Sequence, residues 1–455
     1  MYCLKGLLFG RKKVRGLPVY SGRSILIVTA GMDRRDIYSF MSCLNRFVGF
    51  WQRNMRQVLQ GGMPVLYRKI KNIALLSLLP FSVLVVMFVR CLRPFVVIRF
   101  GEIASERIGA LAGGPELYLC ERDAGIQGHN TLDVFFLGGW AISNQQLAKM
   151  WKRCLWISIF VKLLYLANNI FPGGEKHVVN IPSNKDDRGL LRKYPSHLVF
   201  TSEEEVKGYN VLQSMGVTRS TPFVCLHARD SAYLEQTFPG RDWRYHDFND
   251  SSIDNHNKAA EMLVKRGYVV FRMGAFVEKK IAITNPMIID YAKVGRSDFM
   301  DVFLESKCSF HLGSSSGLDV VPLVFRRPRA SVNNAMLEYI CTWGLNDLCI
   351  PKKMWLMREN RFMTFSEIFE SGVGRFTRTE QCEEYGLKVV ENTPDEIMDL
   401  AIEMDELLNG TCKTTREDEE LQRRFWDIFP DSKLYGEIKT RIGAKFLRDN
   451  RELLE

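Results

Sequence analysis

The chain has 455 residues, 46% of them apolar and 25% charged; these globular values exclude a globally disordered polypeptide and leave room for two domains of ordinary size. Its net charge of +10 is not distributed as a nucleic-acid groove requires: eleven of the 62 Lys and Arg, against Asp33 and Asp36 alone, fall in residues 1–67, and the rest is nearly neutral. The eleven Cys are scattered without a Cys-x-x-Cys, so they read as buried thiols in a reducing compartment, with neither a disulfide framework nor a zinc site.

Residues 1–93 form a basic N-terminal segment that contains an apolar stretch, Ile73–Val89. That stretch is 17 residues without a charge, the lower limit for a membrane span. The positive-inside rule opposes exporting the basic front end, and Pro80 near the middle favours a bent, re-entrant or interfacial segment. Attachment to the inner face of a membrane is expected, without spanning; a buried core helix is the plain alternative.

From Pro94 the pattern alternates. Pro94–Phe100 reads as a strand, Gly101-Glu102 as a turn and Ile103–Leu111 as a helix. Pro115–Cys120 and Leu132–Leu137 read as strands, and Asn144–Phe160 as one helix. Such a β/α series implies a parallel sheet with helices on its faces. The Pro-, Gly-, Asn- and Asp-rich residues 172–196 read as the interdomain connection. A second series follows: strand Phe223–His227, a long polar loop, and a helix over about 254–266 with Asp254 as N-cap and Gly267 past its end. Next come strands Tyr268–Arg272 and Met287–Asp290, helix Ser297–Ser306, a strand at 308–312 and another near 329–333. Thr393-Pro394-Asp395-Glu396 is a capping box with Pro at the first helical position, and its helix stops at Gly410. The boundaries are therefore 1–93, 94–200, 201–392 and 393–455, the last being C-terminal helices.

The chemistry concentrates at two strand ends. Phe223–His227 delivers His227, Arg229 and Asp230, and the strand at 308–312 opens into Gly313-Ser314-Ser315-Ser316-Gly317 ahead of a helical pattern. Open α/β sheets bind ligands at the carboxyl ends of their strands. A guanidinium can hold two phosphate oxygens at once, and backbone N–H groups at a helix start suit an anion. The pair reads as a diphosphate-sugar site. Gly313 and Gly317 are expected to permit positive φ and close approach to the ligand. The plain alternatives are an ion pair of Arg229 with Asp230 or another carboxylate, a packed core role for His227, and a flexible turn at 313–317. Asp230 reads as a general base or as the group that holds Arg229. Glu102 reads as an acceptor-side base or as an ordinary helix-start charge. Arg326-Arg327-Pro328-Arg329 reads as a solvated cluster outside the site. No Asp-x-Asp occurs, so no metal or other cofactor is expected.

Separated motifs in one order resemble a bacterial glycosyltransferase family found with surface-polysaccharide genes. They include Arg107-Ile108-Gly109, Glu116-Leu117-Tyr118-Leu119, Cys225–Leu234, Arg272-Met273-Gly274, Arg296–Asp301, Gly313–Gly317 and Asp347–Lys353. The chain departs from that pattern at Ala110, where a His follows Arg-Ile-Gly, and at 246–253, which lacks an Arg-Asn pair. The His-x-Arg element is also similar to one in GT-B fucosyltransferases, where the Arg binds the donor diphosphate.

The resemblance implies a GT-B-like α/β fold: two Rossmann-like domains, 94–200 for the acceptor and 201–392 for the donor, facing across a cleft. It implies transfer of a sugar from a nucleotide-diphosphate-sugar to a surface glycan or lipid-linked acceptor, at the cytoplasmic face of the inner membrane, as a peripheral or monotopic enzyme. Arg229, Asp230 and Glu102 are the expected catalytic residues; His227, Gly313, Ser314, Ser315, Ser316 and Gly317 are the expected substrate contacts. A nucleotide-sugar epimerase and a non-catalytic sugar- or nucleotide-binding protein of the same fold stand as alternatives. Nucleic acid is not an expected partner.

Overall fold

The computed structural model describes Met63 and residues 77–455, apart from His129, Ser183, Asn184, Thr342, Leu345 and 431–437. The expectations for the basic front end and for residues 73–76 lie outside the described residues. The described part of the apolar stretch enters a helix, Leu79–Cys91. Pro80 sits in its first turn, where a missing N–H leaves no helical bond unmade, so it opens a helix and does not bend one. Val86 and Val89 are buried, whereas Phe81, Leu84 and Phe88 on the other side are exposed. No helix among the described residues is long and apolar enough to cross a membrane. Arg90 pins the helix end by donating to the backbone and side-chain oxygens of Asn168, at 2.8 and 2.9 Å.

Residues Phe81–Glu455 form one unit that contains two parallel sheets. The first has three strands in the order β2-β1-β3: β1 is Val97–Ala104, β2 Thr131–Gly138 and β3 Val178–Val179. Strand β1 pairs with β2 along its whole length, so Gly101 and Glu102 are strand residues and not a turn. Gly101 is needed because a Cβ there would lie 2.4 Å from the Phe135 ring.

The expected strand Pro115–Cys120 is instead the middle of a helix, Ile108–Asp123. Nearly every residue from Gly109 to Cys120 is buried, and an element apolar all round gives no period to read. Pro115 cannot donate to the Leu111 carbonyl as a helix requires, but Trp151 Nε1 donates to that oxygen at 2.7 Å. The single helix expected over Asn144–Phe160 is two, Gln145–Cys154 and Ile159–Asn168. Asn144 and Ser158 cap them in turn, and between them Ile157 bridges to Phe135 of β2.

The second sheet has seven strands in the order β13-β9-β8-β7-β4-β5-β6, all parallel. These are β4 Phe223–His227, β5 Val269–Arg272, β6 Ile288–Ile289, β7 Phe310–Ser314, β8 Arg329–Asn334, β9 Leu348–Pro351 and β13 Arg441–Ile442. A small antiparallel sheet, β10 (Lys353–Leu356), β11 (Arg361–Phe362) and β12 (Leu387–Val390), lies in the chain between β9 and β13. The expected cap at Asp254 is two residues off: Ser252 caps a 3₁₀ turn at Ile253–His256, which leads into the helix Asn257–Lys265. The capping box at Thr393 is as expected and opens the helix Pro394–Leu408. That helix packs on Asn257–Lys265, so the C-terminal residues complete the second sheet.

The two sheets meet along a packed seam. Ile103, Leu111 and Trp151 of the first half share a core with Val302, Val321 and Val324 of the second. Asn144 Nδ2 donates to the Asp298 carbonyl at 3.0 Å. Two of the arginines expected to be solvated are paired instead: Arg326 with buried Glu116 across this seam, at 2.6 Å, and buried Arg329 with Asp347 inside the second half. Glu116 lies 210 residues from Arg326 and Asp347 18 from Arg329, beyond the reach of local charge patterning.

Candidate functional site

A cavity of about 320 Å³ lies where the carboxyl ends of β4, β5 and β7 face the start of helix Ile108–Asp123. From β4 and its loop it receives His227, Arg229, Asp230 and Tyr233; from the loop after β7, Ser315, Ser316 and Gly317. Gly274, Ala275 and Phe276 follow β5, and Arg107, Ile108 and Ser143 come from the first half. The two strand ends that carry the chemistry in the sequence thus face the same space.

Arg229 is held at its backbone and at its guanidinium. Its backbone N–H donates to the buried Ser314 Oγ at 2.7 Å, and Nη1 pairs with Asp250. Asp250 is in turn fixed by a buried cation: Lys352 Nζ donates to the Phe248 and Asp250 carbonyls at 3.0 and 2.5 Å. Burial pulls the Lys352 ammonium down to about 8. Nε and Nη2 of Arg229 make no protein hydrogen bond among the described residues, which leaves two N–H directions for a ligand. Burial lowers the Arg229 pKa, and the neighbouring charge of Arg107 adds to that lowering.

Asp230 does not hold Arg229; Asp250 does. Asp230 instead accepts the N–H groups of Ala232 and Glu278, at 3.1 and 2.9 Å, and so ties the loop after β4 to the loop after β5. That second loop is braced again by fully buried Arg272, which donates to the Lys279 carbonyl at 3.0 Å and pairs with Asp290 at 3.2 Å.

His227 contacts Ser316 Oγ at 3.4 Å, and burial with the nearby charges of His311 and Arg272 holds it neutral. His246, whose carbonyl accepts from Arg229 Nη1 at 3.4 Å, is lowered to about 4 by burial and by Arg229 and Arg107. Asp301 also lines the cavity; burial raises it to about 7 against the pull of Arg296, which lies 2.6 Å from Oδ2. Its Oδ1 has no hydrogen-bond partner.

The 313–317 segment divides into two parts. Gly313 and Ser314 belong to strand β7 and are buried; only Ser315, Ser316 and Gly317 reach the cavity. Neither Gly313 nor Gly317 has positive φ. A Cβ on Gly313 would stand 2.6 Å from the His227 carbonyl, and one on Gly317 3.2 Å from the Gly109 nitrogen. Both glycines are therefore required by protein packing, and Gly317 also lines the cavity. The next helix, Val320–Val324, is only five residues long and starts beyond the loop. Glu102 is exposed within β1 beside Gly138 and does not line the cavity.

Sequence reasoning misses Arg107, Tyr233, His246, Phe276, Arg296 and Asp301. Arg107 and the 296–301 run stand inside recognisable motifs, but nothing local says which side chains share a space. Among the described residues, Glu116, Cys120 and His197, and also Cys225, Glu305 and Cys308, group closely enough to hold a metal ion. Neither group lines the cavity, and the first is already occupied by the Arg326 guanidinium.

No family model matches the chain, and no curated protein does. Two solved glycosyltransferases are similar to it. One is the glycosyl transferase family 9 structure from Veillonella parvula DSM 2008, at 9% identity over 70% of this chain and 98% of that one, with a TM-score of 0.38. The other is E. coli ADP-heptose LPS heptosyltransferase II, at 12% identity over 56% of this chain and 90% of that one, with a TM-score of 0.33. Scores this low carry no argument, so the functional reading rests on the cavity.

Proposed function

We propose that the protein is a GT-B-like glycosyltransferase that moves a sugar from a nucleotide-diphosphate-sugar to a surface glycan or lipid-linked acceptor. One observation carries this reading: Arg229 is fixed just past a strand end with two N–H directions unspent, and it lines the same cavity as Ser315 and Ser316. A guanidinium so placed suits a diphosphate, and it would stabilise the charge that grows as the sugar departs. With that charge met by Arg229, transfer would need no metal.

Only Asp230 and Asp301 are carboxylates lining the cavity among the described residues. Asp230 spends both oxygens on backbone N–H groups, so Asp301, with an oxygen to spare, is the better acceptor of the proton from the attacking hydroxyl. Peripheral docking on the cytoplasmic face of the inner membrane is the matching location. Its support is the basic front end together with the exposed Phe81, Leu84 and Phe88.

The deciding test is release of nucleoside diphosphate from a panel of nucleotide-sugars, with membrane extract as acceptor and chelator present. Release that depends on the extract supports transfer. Release abolished by chelator and restored by manganese would overturn the metal-free mechanism. One observation favours a second reading, a non-catalytic sugar-nucleotide binder: Glu102 lies outside the cavity, and Asp230 already accepts two backbone N–H groups. Nucleotide-sugar binding without release would establish it.

A further inference from the structure

We propose that Arg107 is a second diphosphate-binding residue, delivered across the seam from the half of the chain opposite Arg229. The inference rests on the donor reading and assigns a partner to a residue that reading leaves idle.

Three guanidinium groups line the cavity: Arg107, Arg229 and Arg296. Arg296 is spent on Asp301 and Asp298, at 2.6 and 3.2 Å. Arg229 keeps Asp250. The Arg107 side chain has no carboxylate and no hydrogen bond among the described residues; the Trp243 ring, 6.0 Å from its guanidinium carbon, is its one close polarisable neighbour. A solitary exposed Arg is ordinarily a solvated surface group. Two facts set this one apart.

The first is that its charge converges with others. Arg107 lies near enough to Arg229 and to His246 to disfavour the charged form of each, although Asp230 and Asp247 act on Arg229 in the other direction. Arg107 has no carboxylate of its own among the described residues, so an anion bridging it and Arg229 would turn the repulsion between the two guanidinium groups into attraction to a shared charge. The second is that its position is fixed. Arg107 directly precedes Ile108 and Gly109, and Gly109 lies against the Gly317 backbone, with Ile108 Cγ2 close by. The backbone that carries Arg107 is therefore held beside the 315–317 loop by a contact between the halves two residues on.

An anion held by Arg229 on the loop after β4 and by Arg107 on the segment after β1 would link the two sheets through itself. Phosphate oxygens suit this, because a diphosphate offers separate oxygens to two guanidinium forks.

Titration calorimetry with inorganic pyrophosphate, UDP, GDP and ADP, and with the matching nucleosides, tests it. The variants are Arg107→Ala, Arg107→Lys and Arg229→Ala, each checked for an unchanged melting temperature. Arg107→Ala should weaken the diphosphates and pyrophosphate by about tenfold or more and leave nucleoside affinity alone. Arg107→Lys should recover part of the loss, and the salt dependence of binding should be shallower in Arg107→Ala. Diphosphate affinity within about twofold of wild type in Arg107→Ala, beside a loss in Arg229→Ala, would overturn this inference and leave the donor reading standing. Equal losses for nucleosides and diphosphates would overturn it too. A wild-type protein that binds none of these probes would instead remove the donor reading itself.

Discussion

Gly109 and Gly317 touch backbone to backbone: a Cβ added to Gly109 would lie 3.0 Å from the Gly317 Cα and 3.1 Å from its carbonyl oxygen. The start of a helix in one half and the cavity loop of the other therefore meet with no side chain between them. Gly109→Ala should test this directly. Helix preference alone would raise stability by up to about 1 kcal/mol. Overpacking should cost about 1–3 kcal/mol and prevail, lowering the denaturant midpoint. Gly317→Val should cost more and also weaken nucleoside diphosphate binding beyond the effect of Ser315→Ala. A Gly109→Ala protein more stable than wild type would show that the halves yield at this contact.

Arg229→Ala is expected to abolish donor-dependent turnover while the melting temperature holds, because the side chain projects past β4 and not into the sheet. Loss of a charge-assisted contact should weaken diphosphate binding by about 1.5–3 kcal/mol. Arg229→Lys should rescue only in part, since an ammonium lacks the fork. Wild-type rates for Arg229→Ala would remove it from the site.

The pH dependence of stability should carry a signature of Asp301. Burial raises its pKa to about 7 in the folded chain, above the ordinary value of 3.8. Between those values the folded state binds more protons than the unfolded one, so this group makes stability fall as pH rises from about 4 to about 7. Asp301→Asn should remove that slope. Melting temperatures of variant and wild type, compared from about pH 4 to about pH 8, should converge at the acid end and diverge in favour of the variant above about pH 7. Parallel curves would mean that Asp301 titrates as an ordinary carboxylate.

Lys352→Met should act at a distance from the ligand. It leaves the Phe248 and Asp250 carbonyls without their buried donor, and each unpaired group costs about 1–3 kcal/mol. A loss of stability of that order is expected, together with weaker diphosphate binding as Asp250 loosens its hold on Arg229. Unchanged binding in a destabilised Lys352→Met protein would separate the loop from the site.

Some of this can be read from residues alone. Strand β4 ends where the apolar run ends, at His227, and Thr393 caps the helix its box announces. Those signals are local: alternation, a cap, a turn. The errors share one cause. Pro115 sits in a helix because Trp151, from another helix, supplies the bond that Pro115 cannot. Asp250, not Asp230, meets Arg229 because the chain turns back through a polar loop whose course no period encodes. Gly317 reads as a ligand cradle in isolation; Gly109, from the other half, explains the missing side chain. Each misreading concerns a partner chosen by tertiary packing.

Four helices, beginning at Ser202, Phe365, Pro394 and Arg416, are opened by the same device: a threonine whose hydroxyl and a carboxylate three residues on exchange hydrogen bonds with the backbone. A carboxylate performs this best when ionised. Burial opposes ionisation of Glu204, but Lys149, Gln146 and Arg153 outweigh it and hold the group at about 2; Arg361 does the same for Glu367. Asp418, bonded to Thr415 and Arg448, is also lowered against its burial. Folded values below the unfolded ones place these contributions above about pH 4, and they disappear together as pH falls toward about 2. Acid would thus unlatch the helix starts at Ser202, Phe365 and Arg416 while the strands keep their ladders. The acid limit of this fold is written in its threonines.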